Sequence, residues 1–482
     1  MSNKKYETII GLETHIQLGT KSKAFCGDDA QFGAAPNTHV SAISLGHPGT
    51  LPKLNKTQIE YAVRLSLALN AKINLTNNFD RKNYFYTDLP KGYQITQDNA
   101  PISVGGYVPI RLSNGTVKNV ELHHIHMEED AGKSIHDLDS KHSMVDLNRA
   151  GVPLVEVVSE PDLRSGEEVD AFMNTLRRLV RWLDISDGNM EQGSMRCDCN
   201  VSIRPMGSNE LFARCEVKNM NSMRYARKAI DFETKRQIKL VEKGEKVRQQ
   251  TLQFDRVTGT TSPLRDKEDA HDYRYFPDPD LPPVVILPEE LEQIKAKMPA
   301  LPWELYEKFT QEFKLSDYDA TILTEEKNIA FLMLNLSKEY DNYKACANLL
   351  IDKVRPYLAE NNLTETKVDF PVKRFAELLK LVAADKVSNS VASQKLFPVI
   401  WENLDTPVAD LAEKMNLIQS SDSDFLSDLA DELLEKYPDK VAVYRKGKKG
   451  LIGFFMGELM KISKGKANPK EANAILRKKL EN

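Results

Sequence analysis

The sequence predicts an α+β protein in which a sheet-rich region comes first and helices follow. Three observations predict it: the distribution of glycine, a two-residue alternation near the start, and helical spacing of apolar residues beyond a proline-rich break. All 23 glycines lie outside residues 260–446. Glycine supplies the positive backbone angles of tight turns and bulges, so a sheet-rich region needs it and a helical region can do without it.

In chain order, the first element is a strand. Ile10, Leu12, Thr14, Ile16 and Leu18 alternate with Gly11, Glu13, His15 and Gln17, the period of a half-buried strand. Its second face places a carboxylate beside an imidazole, as a metal or phosphate site would, or as a solvated polar surface would. The segment Phe79 to Tyr93 interleaves basic groups, aromatics and acids, among them Lys82, Asp88 and Lys91.

His123-His124-Ile125-His126-Met127-Glu128-Glu129-Asp130 then sets three of nine histidines against three consecutive carboxylates. Such acids repel one another unless solvent or a cation relieves them. The following Ala131-Gly132-Lys133-Ser134 imitates the end of a phosphate loop, but Met127 stands where that loop needs glycine, so no cradle is expected. Glu156 lies inside the β-prone run Gly151 to Asp162. An unpaired carboxylate buried there is costly, so it must face solvent, a basic partner or a metal. Three segments thus offer acids to one face, an arrangement suited to Mg²⁺, which takes few protein oxygens and completes its shell with water and phosphate.

Val169 to Leu183 has one apolar helical face, with Ser165 and Glu168 at capping-box spacing. Arg196, Asp198, Asn200 and Ser202 share a face of a further strand, and Glu216 to Ser222 adds Lys218. Arg and Lys at such places suit phosphate or carboxylate.

The break is Phe276-Pro277-Asp278-Pro279-Asp280-Leu281-Pro282-Pro283, where prolines forbid a regular helix or central strand. Helices are predicted beyond it at Glu289 to Met298, Pro302 to Phe313, Phe331 to Asn335 and Val372 to Ala383. After a boundary near Asn403 to Val408 come Val408 to Met415, Asp424 to Tyr437 and Ala472 to Leu480. The predicted domains are residues 1–290, 291–407 and 408–482.

The 482 residues contain no apolar run of membrane-spanning length, and the first residues lack a secretory signal, so a cytoplasmic protein is expected. Five cysteines at irregular spacing predict reduced, structural thiols. A net charge of −4 excludes indiscriminate coating of nucleic acid, yet residues 441–482 carry eleven Lys or Arg against three Glu. A basic end on an acidic chain is a way to meet a phosphate backbone at one place. Its candidates are Arg445, Lys446, Lys448, Lys449, Lys461, Lys464 and Lys466.

Several motifs resemble the B subunit of the glutamyl/aspartyl-tRNA amidotransferase. They are Gly11-Leu12-Glu13-x-His15, Phe32-Gly33-x-x-Pro36-Asn37-Thr38, Pro48-Gly49-x-Leu51-Pro52-x-Leu54-Asn55, Asp80-Arg81-Lys82-Asn83-Tyr84-Phe85-Tyr86 and Met127-Glu128-Glu129-Asp130-Ala131-Gly132-Lys133-Ser134. Val145-Asp146-Leu147-Asn148-Arg149, Asp272-Tyr273-Arg274-Tyr275-Phe276-Pro277 and Met460-Lys461-x-Ser463-x-Gly465-x-Ala467-Asn468-Pro469 complete the set, which spans nearly the whole chain in order.

The resemblance implies an antiparallel β-sheet cradle of glutamine-synthetase-like topology, then an all-α helical domain and a small α-helical tail that touches tRNA. It implies phosphorylation by ATP of the side-chain carboxylate of Glu-tRNA(Gln) or Asp-tRNA(Asn), followed by attack of ammonia. The ammonia would come from an amidase-type A subunit, with a small C subunit completing a heterotrimer. It places the Mg²⁺ ligands on Glu13, His15, Glu128 and Glu156, with Glu129 adjacent. Lys82, Asp88, Lys91, Arg196, Asp198 and Lys218 fall around ATP and the aminoacylated tRNA end. Many relatives bind zinc through a Cys-x-Cys and a later Cys-x-x-Cys. Here Cys26, Asp28, Ser41 and Ser44 stand at those positions, so no zinc is expected. A stand-alone ATP-dependent carboxylate–amine ligase and a non-enzymatic RNA-binding scaffold are the competing readings; the basic tail weighs against the first and Glu156 against the second.

Overall fold

The computed structural model describes residues 5–135, 141–218, 220, 222–266, 272–363, 368–419, 423–463 and 467–481. The chain divides into two compact units, residues 1–301 and 302–482. In the first unit the strands are β1 (Tyr6–Gln17), β2 (Lys72–Ile73), β3 (Thr76–Asn77), β4 (Asp80–Asn83), β5 (Tyr93–Thr96), β6 (Ser103–Val104), β7 (Tyr107–Arg111) and β8 (Val117–Glu129). They continue as β9 (Lys133–Ile135), β10 (Met144–Asp146), β11 (Pro153–Ser159), β12 (Met195–Pro205), β13 (Cys215–Lys218), β14 (Gln250–Asp255), β15 (Thr260–Asp266), β16 (Phe276–Pro277) and β17 (Val284–Val285). Its helices are α1 (Lys56–Ala68), α2 (Gly166–Trp182), α3 (Met223–Glu242) and α4 (Pro288–Ala296).

The main sheet has the order β15-β14-β13-β12-β1-β11-β8-β6-β2, with β7 also paired to β8. A smaller sheet, β16-β4-β5, supplies Lys82 and Gln94 to the site described below. Pairing in the main sheet is antiparallel except between β13 and β14. A parallel pair needs a crossover, usually a helix, and α3 is that crossover. It is braced by Glu233, fully buried, which accepts hydrogen bonds from Arg236, Gln237 and Thr261.

Ile10, Leu12, Thr14 and Ile16 of β1 are all buried. Thr14 Oγ1 donates to Met173 Sδ of α2 at 3.7 Å, which fixes that face of the strand toward the helix. On α2, Val169, Phe172, Leu176 and Leu179 are fully buried, each such side chain contributing about 1.5–3 kcal/mol. Ser165 caps the helix by accepting from the Glu168 N–H at 3.2 Å. The Glu168 carboxylate reaches the Arg164 N–H and Lys118 instead of the Ser165 backbone, so the capping box is closed one residue early.

Gly106 adopts φ +88°, and a Cβ there would lie 2.5 Å from the Leu69 carbonyl oxygen and 2.8 Å from the Ala71 nitrogen. Both obstacles are backbone just past α1. Gly106→Ala is therefore expected to destabilise the chain by about 2 kcal/mol, read as a lower urea midpoint. An unchanged midpoint would mean that the α1 exit can shift.

The proline-rich break is anchored to the first unit. Phe276 and Pro277 pair with Arg81 and Asp80 as a short edge strand, and Asp278 and Asp280 each accept a 2.8 Å hydrogen bond from the Arg81 guanidinium.

Helices in the second unit include Lys327–Glu339, Val372–Ala383 and Val408–Lys414, and then Ser423–Lys436, Pro438–Arg445, Ile452–Ile462 and Pro469–Glu481. The last four share a core built from Leu426, Leu433, Tyr444, Phe455, Leu459 and Leu476. No described helix is long and apolar enough to cross a membrane.

Candidate active site

Because α2 covers one face of β1, the residues between the buried ones face the other way. Strand pairing then aligns four of them in a row. Arg196 on β12 stands opposite His15 on β1, His15 opposite Glu156 on β11, and Glu156 opposite His126 on β8. Neighbouring strands lie about 4.8 Å apart, which brings the His15, Glu156 and His126 side chains into contact. His15 Nε2 is 3.1 Å from Glu156 Oε2, and His126 Nε2 is 3.4 Å from the same oxygen. His126 Nε2 also lies 3.6 Å from Glu128 Oε2.

Ligand atoms of His126, Glu128 and Glu156 fall within 4.8 Å of one another, and all three residues are buried. Glu128 lines a cavity of about 250 Å³ together with His15, Lys82, Gln94, Asp130, Arg196 and Asp198, and Glu156 and His126 reach that lining through His15 and Glu128. Gln94 Nε2 donates to Glu128 Oε1 at 2.8 Å, Thr96 Oγ1 donates to Oε2 at 2.9 Å, and Lys82 Nζ lies 3.9 Å from Oε2.

The three consecutive acids are kept apart by strand alternation. Glu128 points toward the cavity, whereas Glu129 pairs with Lys91 and accepts the Ile95 N–H at 2.8 Å. Asp130 is held by Arg196 at 2.9 Å and by Gln17 at 2.7 Å. Each carboxylate therefore has its own partner, which relieves the repulsion that their adjacency implies.

Burial would push both cluster carboxyls up, but the groups around them win. Lys82 and His126 hold Glu128 below the usual carboxylate range, and His15 and His126 do the same for Glu156. Burial opposes charge on His15, yet Glu156 outweighs it and raises that imidazole to about 9. Burial also opposes charge on Lys82, which Glu128 nevertheless raises. Glu13 accepts from Asn200 Nδ2 at 2.9 Å, and burial followed by the nearby Glu156 charge pushes its carboxyl up. His124 is lowered to about 4 by burial and by His126 and His123.

Two ionised carboxylates and an imidazole converging beside a cavity can hold a divalent cation, with positions left for water or phosphate oxygens. Lys82 and Arg196 add fixed positive charge to the same space.

Two family models match most of the chain. Residues 8–292 match a family model described as the GatB/GatE catalytic domain, and residues 332–480 match one described as the GatB domain. The chain belongs to the GatB family. Its relatives include proteins named as the B subunit of aspartyl/glutamyl-tRNA(Asn/Gln) amidotransferase. The one from Thermodesulfovibrio yellowstonii is 47% identical over 472 residues, covering 98% of each chain. The one from Salinibacter ruber is 44% identical over 499 residues, covering 100% of this chain and 98% of that protein. A Coxiella burnetii relative is 44% identical, covering 99% and 100%.

For this GatB-family chain, the structure brings His15, Glu128 and Glu156 together, and Glu13 lies two residues along the same face. Lys82, Arg196 and Asp198 line the cavity. Lys218 lies beside it, paired with Asp198 at 3.2 Å and Glu216 at 2.9 Å. Three expected residues are placed elsewhere. Glu129 and Lys91 form their pair off the cavity, and Asp88 accepts from Ser134 Oγ at 3.2 Å while its carbonyl accepts the Gly132 N–H.

His126 joins the cluster although it is not among the ligands that the resemblance implies; its spacing of two from Glu128 on one strand carries the signal. Gln94 and Thr96, which orient Glu128, carry no such signal.

Cys26, Asp28, Ser41 and Ser44 also meet here. Ser44 Oγ donates to Asp28 Oδ2 at 2.6 Å and accepts the Ser41 N–H at 2.9 Å. Burial raises the Cys26 thiol to about 11. All five cysteines are free and buried.

In the tail, Arg445, Lys446, Lys448, Lys449 and Lys461 are exposed. Arg445 donates to the Leu480 carbonyl, and Lys461 pairs with Glu458 at 2.6 Å. Lys464 and Lys466 lie outside the described residues, as do Asn219 and Asn221.

Proposed function

We propose that this chain is the B subunit of a tRNA-dependent amidotransferase and that its buried cluster converts the side-chain carboxylate of Glu-tRNA(Gln), Asp-tRNA(Asn) or both into the amide. The observation that carries this reading is the Arg196–His15–Glu156–His126 row with Glu128 and Lys82 beside one cavity. A carboxylate has no usable leaving group until one of its oxygens is phosphorylated, so the chemistry needs charge neutralisation and alignment. Lys82 and Arg196 supply fixed positive charge for the phosphate oxygens and the substrate carboxylate.

The substrate carboxylate oxygen attacks the γ-phosphorus of ATP and ADP leaves. Ammonia then attacks the carbonyl carbon of the acyl phosphate. The C–O bond breaks, inorganic phosphate departs with the former carboxylate oxygen, and the new nitrogen gives up a proton. Glu128 and Glu156, with His126 or His15, would hold Mg²⁺, which when bound neutralises charge on the transferring phosphoryl group. Gln94 and Thr96 keep the Glu128 carboxylate oriented. Glu13 belongs to the same face as an outer member of the site.

Ammonia reaches this chain from an amidase-type A subunit, and a small C subunit completes a heterotrimer in the cytoplasm. The functional division is a cradle at residues 1–290, a helical domain at 291–407 and a tRNA-binding tail at 408–482. The separate tail core and its exposed basic side chains support that last assignment. Incubation of the purified chain with its A and C partners, Mg²⁺, ATP, ammonia and each mischarged tRNA tests the reading. Amide formation on the tRNA-linked amino acid is expected, and none with either tRNA would sink it.

Two further outcomes follow. Lys448→Glu combined with Lys449→Glu is expected to weaken tRNA binding and to reduce the slope of log affinity against log salt by about 2; an unchanged slope would take these lysines off the tRNA. Zinc in the purified chain is expected to be sub-stoichiometric by metal analysis, because the Cys26, Asp28, Ser41 and Ser44 positions offer a single thiol. Stoichiometric zinc would contradict this.

A further inference from the structure

His123, His124 and His126 form a continuous ladder ending at the candidate cation site. His123 Nδ1 lies 2.7 Å from His124 Nδ1, and His124 Nε2 lies 3.0 Å from His126 Nδ1. The other nitrogen of His126 faces Glu156 and Glu128. Consecutive residues on a regular strand point to opposite faces, so His123 and His124 should not meet. They meet because pairing between β11 and β8 slips at this point: Val158 pairs with His124, but Ser159 pairs with Leu122. His123 is the extra residue of a bulge, a device that re-aims a side chain.

A neutral imidazole carries one proton, so the ladder has two self-consistent states. In one, His126 carries its proton on Nε2 and donates toward the carboxylates, while Nδ1 accepts from His124. That state blocks the nitrogen nearest the cation site. In the other, His126 carries its proton on Nδ1 and donates to His124 Nε2, and His124 in turn donates from Nδ1 to His123 Nδ1. His126 Nε2 then offers a lone pair beside Glu128 and Glu156. A metal-binding imidazole almost always donates its second nitrogen's proton to a partner that fixes tautomer and ring orientation. His124 occupies that partner's place, with its ring plane 22° from that of His126 and the ring centroids 5.1 Å apart.

We propose that His124, held by His123 on the β8 bulge, is a positioning residue that selects the His126 tautomer able to bind a divalent cation. The proposal rests on the cation-site reading above. It makes the site a mixed oxygen and nitrogen site, suited to Mn²⁺ as well as Mg²⁺.

Titration of the full-length chain with Mn²⁺, following the paramagnetic signal of the free ion, separates the two claims. Wild type is expected to bind and Glu156→Gln to lose binding; a wild type that does not bind Mn²⁺ overturns the cation-site reading itself. If wild type binds, His124→Phe is expected to weaken Mn²⁺ by about 10–100-fold. His124→Gln, whose amide oxygen can accept from His126 Nδ1, is expected to recover most of that loss. Wild-type affinity in His124→Phe, or no recovery in His124→Gln, overturns the proposal. Thermal unfolding without metal checks that the variants are folded. Should His124→Phe be unfolded, His123→Ala is read instead: weaker Mn²⁺ binding supports the ladder and unchanged binding overturns it.

Discussion

Glu156→Gln is expected to reduce amidation of mischarged tRNA by at least about 100-fold, the scale seen when a preorganised charge is removed from a reacting centre. The substitution keeps the volume and removes the charge that His15 and His126 share at 3.1 and 3.4 Å. Both partners are imidazoles and can become neutral, so the fold should survive the loss of their counter-charge. The effect is therefore expected in turnover, measured with ammonia as nitrogen donor in the assembled enzyme. Wild-type turnover would remove Glu156 from the chemistry.

Lys82→Met should act differently, because an imidazole can shed a proton but Glu128 must then stand buried without its ammonium partner. Removing one member of a buried ion pair costs about 3–5 kcal/mol. The separation is 3.9 Å and the Lys82 side chain is 22% exposed, while Gln94 and Thr96 still donate to Glu128. The low end, about 3 kcal/mol, is expected in urea unfolding without divalent cation. Wild-type stability would mean that the two hydrogen bonds alone hold the carboxylate. Activity should fall as well, since Lys82 lines the cavity.

The part of the site on β1, β11 and β12 was legible in the sequence because a sheet buried on one face imposes a period of two. Ile10, Leu12, Thr14 and Ile16 mark the covered face, and Glu13 and His15 must lie opposite. The same rule separates Glu128 from Glu129 and groups Glu128 with His126, once the phase of β8 is known. The bulge at His123 disturbs that phase within the histidine run. Until that phase is known, sequence spacing does not set His126 apart from His123 and His124, although His126 alone of the three joins the buried cluster.

Two helices of the first unit were harder to read. On α3 the buried positions are Ala226, Ala229, Ile230, Glu233 and Gln237, so two of the five are polar and the apolar stripe is weak. The parallel β13/β14 pair requires this helix, but that pairing is a long-range fact that no local pattern announces. On α1 the buried Gln58 and Ser66 interrupt the stripe in the same way. Long-range pairing also decides Lys91. In sequence it sits among phosphate-binding candidates, and in the fold it meets Glu129 on the far side of the strand.

The central claim is that a substrate carboxylate is activated as an acyl phosphate beside Glu128 and Glu156. Labelling both side-chain carboxylate oxygens of the mischarged tRNA with ¹⁸O and analysing the inorganic phosphate released by the assembled enzyme tests it most directly. One ¹⁸O in the phosphate is expected for each amide formed, and loss of both products with Glu156→Gln. Amide formation with unlabelled phosphate would contradict it.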